Sequence, residues 1–137
     1  MIQSVVIDTN AYSAYKRGYK DAVDVIKTVD SVIITPTVLG ELLGGFELGH
    51  KAEQNRKELE EFLNDPKVLL LTINAQTAKE YSKIYKNLRK QGTPIPTNDM
   101  WIAAIANQLE VPLFTYDAHF SKIPGLIIVG SVLDLES

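Results

Sequence analysis

The chain contains no cysteine and only two histidines, His50 and His119, among its 137 residues. Disulfide frameworks, thiolate zinc sites and cysteine nucleophiles are therefore excluded, and so is a zinc site built from several imidazoles. No hydrophobic run approaches the ~20 residues of a membrane span, and Met1 leads into a strand-like segment without the basic and apolar regions of a secretory signal. We expect a cytoplasmic protein without membrane association.

Positive charge is also scarce, with 14 lysine and arginine residues against 17 acidic residues and a net charge of −3. This balance argues against a protein that coats nucleic acid or membrane non-specifically, although it leaves a local basic face open. A chain of this length can bury roughly two thirds of its unfolded surface in one core. Because no repeat, linker or low-complexity segment interrupts it, we predict a single domain over residues 1–137.

Short apolar runs alternate with segments of helical periodicity along the chain. The runs predicted to be strands are Ser4–Ile7, Val32–Thr35, Val68–Leu71, Leu113–Thr115 and Leu126–Val129. Helices are predicted at 11–29 with an interruption near Gly18, at 36–46 with a weak or terminal point at Gly44-Gly45, and at 47–63. Two further helices are predicted, one that follows Asn74 and one at 98–108 that follows Thr97. Asn74 and Thr97 are the expected N-caps of these two helices. This alternation predicts an α/β fold, with a parallel sheet covered by helices on both faces.

Four carboxylates stand beside strongly apolar neighbours. Asp8 follows an apolar strand, Glu41 lies between two apolar pairs, Asp99 precedes an apolar helical stretch, and Asp117 follows the fourth strand. Burying an unpaired carboxylate is costly or shifts its pKa, so each side chain should reach either a cleft or a cation. Each acid also has an ordinary explanation: a helix cap, a surface residue, a first-turn acid or a turn residue, respectively.

The positions of the four acids predict a shared cleft. Asp8 and Asp117 follow parallel strands, and ligands of open α/β sheets bind outside the carboxyl ends of the strands. Asp99 and Glu41 lie near the starts of two helices, so all four converge if the first and fourth strands are neighbours. Such carboxylates repel one another unless a cation binds, and oxygen ligands suit Mg²⁺ or Mn²⁺. A site of this kind typically acts on phosphate esters through an activated water.

Four segments of the chain resemble, in order, those of the PIN-domain family, and specifically its VapC-type toxin ribonucleases. They are Val-Ile-Asp-Thr-Asn at 6–10, Thr-Val-Leu-Gly-Glu-Leu-Leu-Gly-Gly at 37–45, Asn-Asp-Met-Trp-Ile-Ala-Ala-Ile-Ala at 98–106 and Leu-Phe-Thr-Tyr-Asp-Ala-His-Phe-Ser-Lys-Ile-Pro-Gly-Leu at 113–126. The resemblance covers nearly the whole chain and implies a sheet of strand order 3-2-1-4-5. It places the family's catalytic and metal-binding acids at Asp8, Glu41, Asp99 and Asp117.

The same resemblance implies an activity and partners. It implies an endoribonuclease that hydrolyses phosphodiester bonds of single-stranded or loop RNA with Mg²⁺ or Mn²⁺. It also implies a homodimer and inhibition by a small VapB-like antitoxin, whose tail occupies the acidic cleft. Asp8, Asp99 and Asp117 are then the expected metal ligands, while Glu41 either orients the attacking water or binds a second ion.

Several other residues are candidates for supporting roles. Asn10, Asn98 and Thr115 could hold the carboxylates or a substrate phosphate, although caps and turns explain them equally. His119 could contact RNA, but a surface histidine is the preferred interpretation.

Among basic groups we favour Lys16, Arg17 and Lys20 as phosphate contacts; the row Lys79, Lys83, Lys86 and Lys90 is better explained as a solvated helix face. Tyr12, Tyr15 and Tyr19 could stack on bases, line a groove for a second copy or the antitoxin, or pack in the core.

Competing functions fit the sequence less well. A phosphotransferase of the haloacid dehalogenase type needs a second aspartate where this chain has Asn10. A receiver domain needs an acidic pair near the first strand and a late lysine, and neither is evident. The remaining alternative is a catalytically silent PIN-fold binding module, which is typically missing acidic residues that are present here.

Overall fold

The computed structural model describes residues 3–135, so residues 1–2 and 136–137 of the predicted domain lie outside the described part. Its strands are β1 (Ser4–Ile7), β2 (Ser31–Ile34), β3 (Val68–Leu70), β4 (Leu113–Phe114) and β5 (Ile128–Val129). Its helices are α1 (Thr9–Lys16), α2 (Lys20–Thr28), α3 (Pro36–Glu47), α4 (Ala52–Leu63), α5 (Ala75–Gln91) and α6 (Thr97–Leu109). Two short 3-10 helices cover Ala118–Lys122 and Val132–Leu135.

All five strands are parallel and pair in the order β3-β2-β1-β4-β5, which confirms the predicted topology. Consecutive side chains of a strand point to opposite faces of its sheet. Val5, Val6 and Ile7 of β1 are all fully buried. Helices therefore cover both faces at the centre of the sheet, as the α/β prediction requires.

The first and fourth strands are neighbours, and this pairing positions the candidate site. Val6 pairs with Leu113 and Ile7 pairs with Phe114. Asp8 and Thr115 consequently leave the sheet side by side at its carboxyl edge. The order of strands reverses at β1, so this edge is the switch point at which open α/β sheets bind ligands.

Two local predictions are confirmed by backbone geometry. The first helical region divides into α1 and α2 at Gly18, whose φ of +79° is one that glycine adopts without a steric penalty. Asn74 caps α5 as predicted, since its side chain accepts a hydrogen bond from the Thr77 amide while the Thr77 hydroxyl accepts one from the Asn74 amide.

Two local predictions are wrong, the helix start at 47 and the Thr97 cap, and the helix end that the sequence allowed at Gly44-Gly45 does not occur. Helix α3 continues through Gly44 and Gly45 to Glu47, because burial of Val38 and Leu42 outweighs the modest helix cost of two glycines. The predicted 47–63 helix begins only at Ala52. Thr97 is the first residue of α6, and its side chain forms no cap; Pro96 precedes it with a φ of −56°.

None of the helices between residues 3 and 135 combines the length and the apolar character that crossing a bilayer requires.

Candidate active site

Asp8 lies between β1 and α1 with only 4% of its surface exposed. Its Oδ1 accepts a hydrogen bond from the Ala11 amide at 2.9 Å, so the carboxylate does cap α1. Its Oδ2 accepts a hydrogen bond from the Thr115 hydroxyl at 2.5 Å. Asp8 is therefore held at both oxygens, by its own helix and by the segment that follows the neighbouring strand.

Burial raises the pKa of Asp8 from 3.8 to about 6. The hydrogen bonds from Thr115 and Ala11 oppose this shift, whereas the negative charges of Asp117 and Asp99 add to it. The fold thus keeps a carboxylate in surroundings that disfavour its ionised form. Such a group gains more from a bound cation than a solvated carboxylate does, because a nearby positive charge favours its ionised form.

Asp99, Asp117 and His119 form the second part of the site. The His119 Nδ1 lies 3.0 Å from an Asp99 carboxylate oxygen and 3.3 Å from one of Asp117. One ligand atom from each of the three residues lies within 4.8 Å of the others, which is close enough to share a metal ion. His119 is partly exposed, as expected for a surface histidine, but it also contacts two of the four predicted acids.

Asp99 comes from the first turn of α6 and Asp117 from the turn after β4. Burial raises the pKa of Asp99, and the Asp117 and Glu41 carboxylates push it in the same direction, while the hydrogen bond with His119 lowers it. Asp117 also caps the following 3-10 helix by accepting a hydrogen bond from the His119 amide at 2.9 Å. Its predicted turn role and its place in the acidic cluster are thus compatible.

Glu41 enters the site from the second turn of α3 and is half-buried. One carboxylate oxygen accepts a hydrogen bond from the Thr9 hydroxyl at 2.6 Å, and the other lies 3.5 Å from the side-chain nitrogen Nδ2 of Asn98. The flanking residues Thr9 and Asn98, which adjoin Asp8 and Asp99 in sequence, therefore hold Glu41 at the rim of the cluster.

Neutral hydrogen bonds connect the separate acids. Thr115 donates to Asp8 and accepts from the backbone amide of Asp117 at 3.0 Å, so one hydroxyl links two of the four acidic positions. Asn10 instead accepts a hydrogen bond from the Tyr116 amide at 3.1 Å, which ties α1 to the segment after β4 without contacting a carboxylate. Thr9 was absent from the sequence candidates, although its position next to Asp8 was a usable signal.

The aromatic and basic candidates near α1 include side chains of the core and side chains at the surface. Tyr12 is buried and packs edge-on against Phe62, and Tyr15 also contacts that ring, so these two tyrosines belong to the core. Tyr19 remains half-exposed. Lys16 lies 3.8 Å from Glu58 and Lys20 lies 2.7 Å from Asp24, whereas Arg17 forms no ion pair with any acidic residue between 3 and 135.

The donor set fits a divalent cation. Burial is the main cause of the raised pKa values of Asp8 and Asp99, and neighbouring carboxylates add to it, so a bound cation would favour the ionised form of both groups. Carboxylate oxygens are the ligands that Mg²⁺ and Mn²⁺ prefer. Asp99 and Asp117 offer adjacent carboxylate oxygens, and the Thr115 hydroxyl bridges the Asp8 carboxylate and the backbone amide of Asp117.

Comparison with known proteins identifies relatives over most of the chain. The PIN domain family model matches residues 5–126. A ribonuclease VapC from Rickettsia bellii is 33% identical over 128 residues, covering 91% of this chain and 94% of that protein. Ribonuclease VapC5 from Mycobacterium tuberculosis is 25% identical over 120 residues, covering 88% and 87% of the two chains.

Solved structures of two complexes contain chains with the same fold. A chain of VapBC2 from Rickettsia felis, bound to a DNA fragment from the promoter, superposes with a TM-score of 0.82 at 25% identity and covers 93% of this chain and 98% of its own length. A chain of VapBC-1 from nontypeable Haemophilus influenzae gives 0.80 at 26% identity, covering 93% and 97%. The chain belongs to the PIN-domain family, among the members named ribonuclease VapC.

Proposed function

We propose that this chain is a metal-dependent endoribonuclease and the toxin of a VapBC-type toxin–antitoxin pair. The observation that carries the proposal is the cluster of Asp99, Asp117 and His119 at the carboxyl edge of the sheet, which Thr115 connects to Asp8 and which has Glu41 at its rim. Relatives named ribonuclease VapC support RNA as the substrate. Solved VapBC complexes support a VapB-like antitoxin as the partner.

The site residues take distinct roles in this proposal. Asp8, Asp99 and Asp117 would hold Mg²⁺ or Mn²⁺, which when bound supplies an activated water and stabilises negative charge on the phosphodiester. Glu41, fixed by Thr9 and Asn98, orients the attacking water. The Thr115 hydroxyl donates a hydrogen bond to the Asp8 carboxylate, and this bond favours the ionised form of Asp8, which is the form that binds a cation. We place the protein in the cytoplasm as a homodimer, where the RNA and the antitoxin are available.

The direct test is RNA cleavage by purified protein. Cleavage should require added Mg²⁺ or Mn²⁺ and stop with EDTA, and Asp8→Asn should abolish it without unfolding the chain. Glu53→Gln, which removes an exposed carboxylate from α4, serves as the matched control and should cleave like wild type. Undiminished cleavage by folded Asp8→Asn would exclude this site. Metal-independent RNA binding with no cleavage by wild type would favour the silent binding module.

The toxin assignment has its own test in cells. Expression of the chain should arrest growth, and co-expression of the small protein encoded beside it should restore growth. The Asp8→Asn variant, produced at the same level, should be harmless. Harmless expression of soluble protein that cleaves RNA in vitro would contradict the toxin role while leaving the nuclease activity standing.

A further inference from the structure

His119 brings a nitrogen atom into a cluster that otherwise consists of carboxylates. It is the second residue of the 3-10 helix Ala118–Lys122, which directly follows Asp117. The next residue, Phe120, has 1% of its surface exposed and anchors this short helix in the core. The His119 amide also donates a hydrogen bond to Asp117 Oδ1 at 2.9 Å. Core packing and a backbone hydrogen bond therefore both fix the point from which the imidazole reaches the acids.

The distances between three side-chain atoms match the coordination shell of a single ion. The His119 Nδ1 lies 3.0 Å from Asp99 Oδ2 and 3.3 Å from Asp117 Oδ1. Adjacent ligand atoms of an octahedral ion with bonds of about 2.1 Å are about 3.0 Å apart. Nδ1 can therefore bind the same ion as both carboxylates, as their neighbour in its coordination shell.

A hydrogen on Nδ1 satisfies the same two carboxylates when no ion is bound. An ion at this point takes the place of that hydrogen, and the neutral ring then carries its hydrogen on Nε2. Histidines that bind metals commonly donate this second N–H to water or to a protein acceptor. Because the His119 side chain is 45% exposed, water is available to the ring.

The three side chains leave a path for an ion to enter from solvent. The exposed fraction of the side chain is 13% for Asp99, 30% for Asp117 and 45% for His119. Glu41 is the other candidate to complete this ligand set, but Thr9 and Asn98 already engage its two oxygens. The His119 Nδ1, in contrast, faces the two carboxylates directly.

An imidazole ligand changes which ion a site prefers. Mg²⁺ is a hard cation that takes oxygen ligands and usually keeps several waters. Imidazole nitrogen is a softer donor that favours first-row transition-metal ions, and Mn²⁺ is a member of that series that also suits carboxylates. A set of two carboxylates and one imidazole therefore distinguishes between the two ions that the proposed function allows.

We propose that the Nδ1 of His119 binds the metal ion directly, together with Asp99 and Asp117, and that this nitrogen makes the site prefer Mn²⁺ to Mg²⁺. The inference rests on the proposed metal-dependent function and adds an ion preference to it. His119 is then a specificity-determining ligand outside the set of four acids. An oxygen ligand in its place would keep the ion but remove the preference.

Electron spin-echo envelope modulation of the Mn²⁺-loaded protein tests this ligation without measuring cleavage. The wild-type spectrum should show coupling between Mn²⁺ and one imidazole nitrogen. His119→Asn should abolish the coupling, although its amide can occupy the position of Nδ1 and keep a hydrogen bond to Asp99. His50→Gln removes the other histidine, which is exposed in the loop between α3 and α4, and should retain the coupling as the matched control.

Competition between the two ions tests the preference. Mg²⁺ titrated into the Mn²⁺-loaded protein releases Mn²⁺, whose free form has a distinct electron paramagnetic resonance signal. His119→Asn should weaken Mn²⁺ binding by about tenfold or more, as removal of groups that support a metal site does. Mg²⁺ binding should change little, because an amide oxygen remains at this position. The ratio of the two affinities should therefore fall in His119→Asn and stay unchanged in His50→Gln.

The possible failures point to different conclusions. Bound Mn²⁺ without nitrogen coupling in wild type would overturn the His119 proposal and leave a carboxylate metal site, so the proposed function would stand. Surviving coupling in His119→Asn would assign the nitrogen to another group, and an unchanged affinity ratio would limit His119 to positioning the carboxylates; either result overturns the proposal. Failure of wild type to bind either ion would contradict the proposed function as well. The wild-type spectrum decides ligation even if His119→Asn does not fold.

Discussion

Single buried side chains account for the chemistry of the acidic cluster. Asp8 has the largest burial among the four acids, and its two oxygens are both engaged by hydrogen-bond donors. A carboxylate in this position is costly to ionise when no cation is present. The fold therefore keeps Asp8 in a position where ionisation is unfavourable until a cation binds nearby.

The first prediction concerns the pH dependence of stability. The pKa of Asp8 is raised to about 6 in the folded chain, so folding is favoured by the neutral form of Asp8. This contribution is fully present below about pH 4 and is lost as the pH rises through 6, by up to about 3 kcal/mol. In EDTA, the free energy of unfolding of Asp8→Asn should fall less between about pH 4 and pH 7 than that of wild type.

Urea denaturation at several pH values measures this difference. Asp65→Asn removes an exposed carboxylate from the loop before β3 and is the matched control. If wild type and Asp8→Asn lost stability with the same pH slope, the buried Asp8 would not be the group that resists ionisation in the folded chain.

At the scale of helices and strands, the sequence pattern predicted most of the architecture. Alternating apolar runs located all five strands, and the Asn74 cap and the Gly18 break were local signals that the structure confirms. Tertiary packing decides where the local signal is ambiguous. Helix α3 tolerates Gly44-Gly45 because two of its other residues reach the core.

The site was only partly visible in the sequence for the same reason. The four acids stood out because each has apolar neighbours along the chain. The histidine contact was missed because Asp99 and His119 lie on different elements, 20 residues apart, and meet only after α6 packs beside the turn that follows β4. Local periodicity carries no information on such a contact.

Helix α5 provides the second prediction, because its capping box also contacts α6. The Thr77 hydroxyl is hydrogen-bonded to the Gln108 side chain, and Asn74 lies 3.3 Å from the same side chain. Asn74→Ala should lower the free energy of unfolding by about 0.5–2 kcal/mol. Asn87→Ala, on the exposed face of the same helix, should change it little.

Thermal and urea unfolding monitored by circular dichroism compare these two variants. Equal effects of Asn74→Ala and Asn87→Ala would show that the capping box contributes no stability beyond an ordinary surface asparagine.

For the molecule as a whole, the third prediction links metal binding to stability. A cation that binds the folded site but not the unfolded chain stabilises it by about 2.7 kcal/mol at a hundredfold excess over Kd. For a domain of this size that corresponds to a rise of roughly 10 °C in Tm. Mn²⁺ should produce this rise, EDTA should reverse it, and Asp117→Asn should greatly reduce it while Glu53→Gln retains it.

Differential scanning calorimetry with increasing Mn²⁺ provides the measurement. An undiminished rise in Asp117→Asn would place the bound ion elsewhere in the protein.

The position of β4 next to β1 determines when, during synthesis of the chain, the acidic cluster can form. The hydrogen bond between Asp8 and Thr115 spans 107 residues of sequence. A nascent polypeptide that has been translated only as far as β3 already contains Asp8 and Glu41, but it has neither Asp99 nor Asp117. The complete acidic cluster therefore cannot form on the nascent chain until α6 and the segment after β4 have been synthesised.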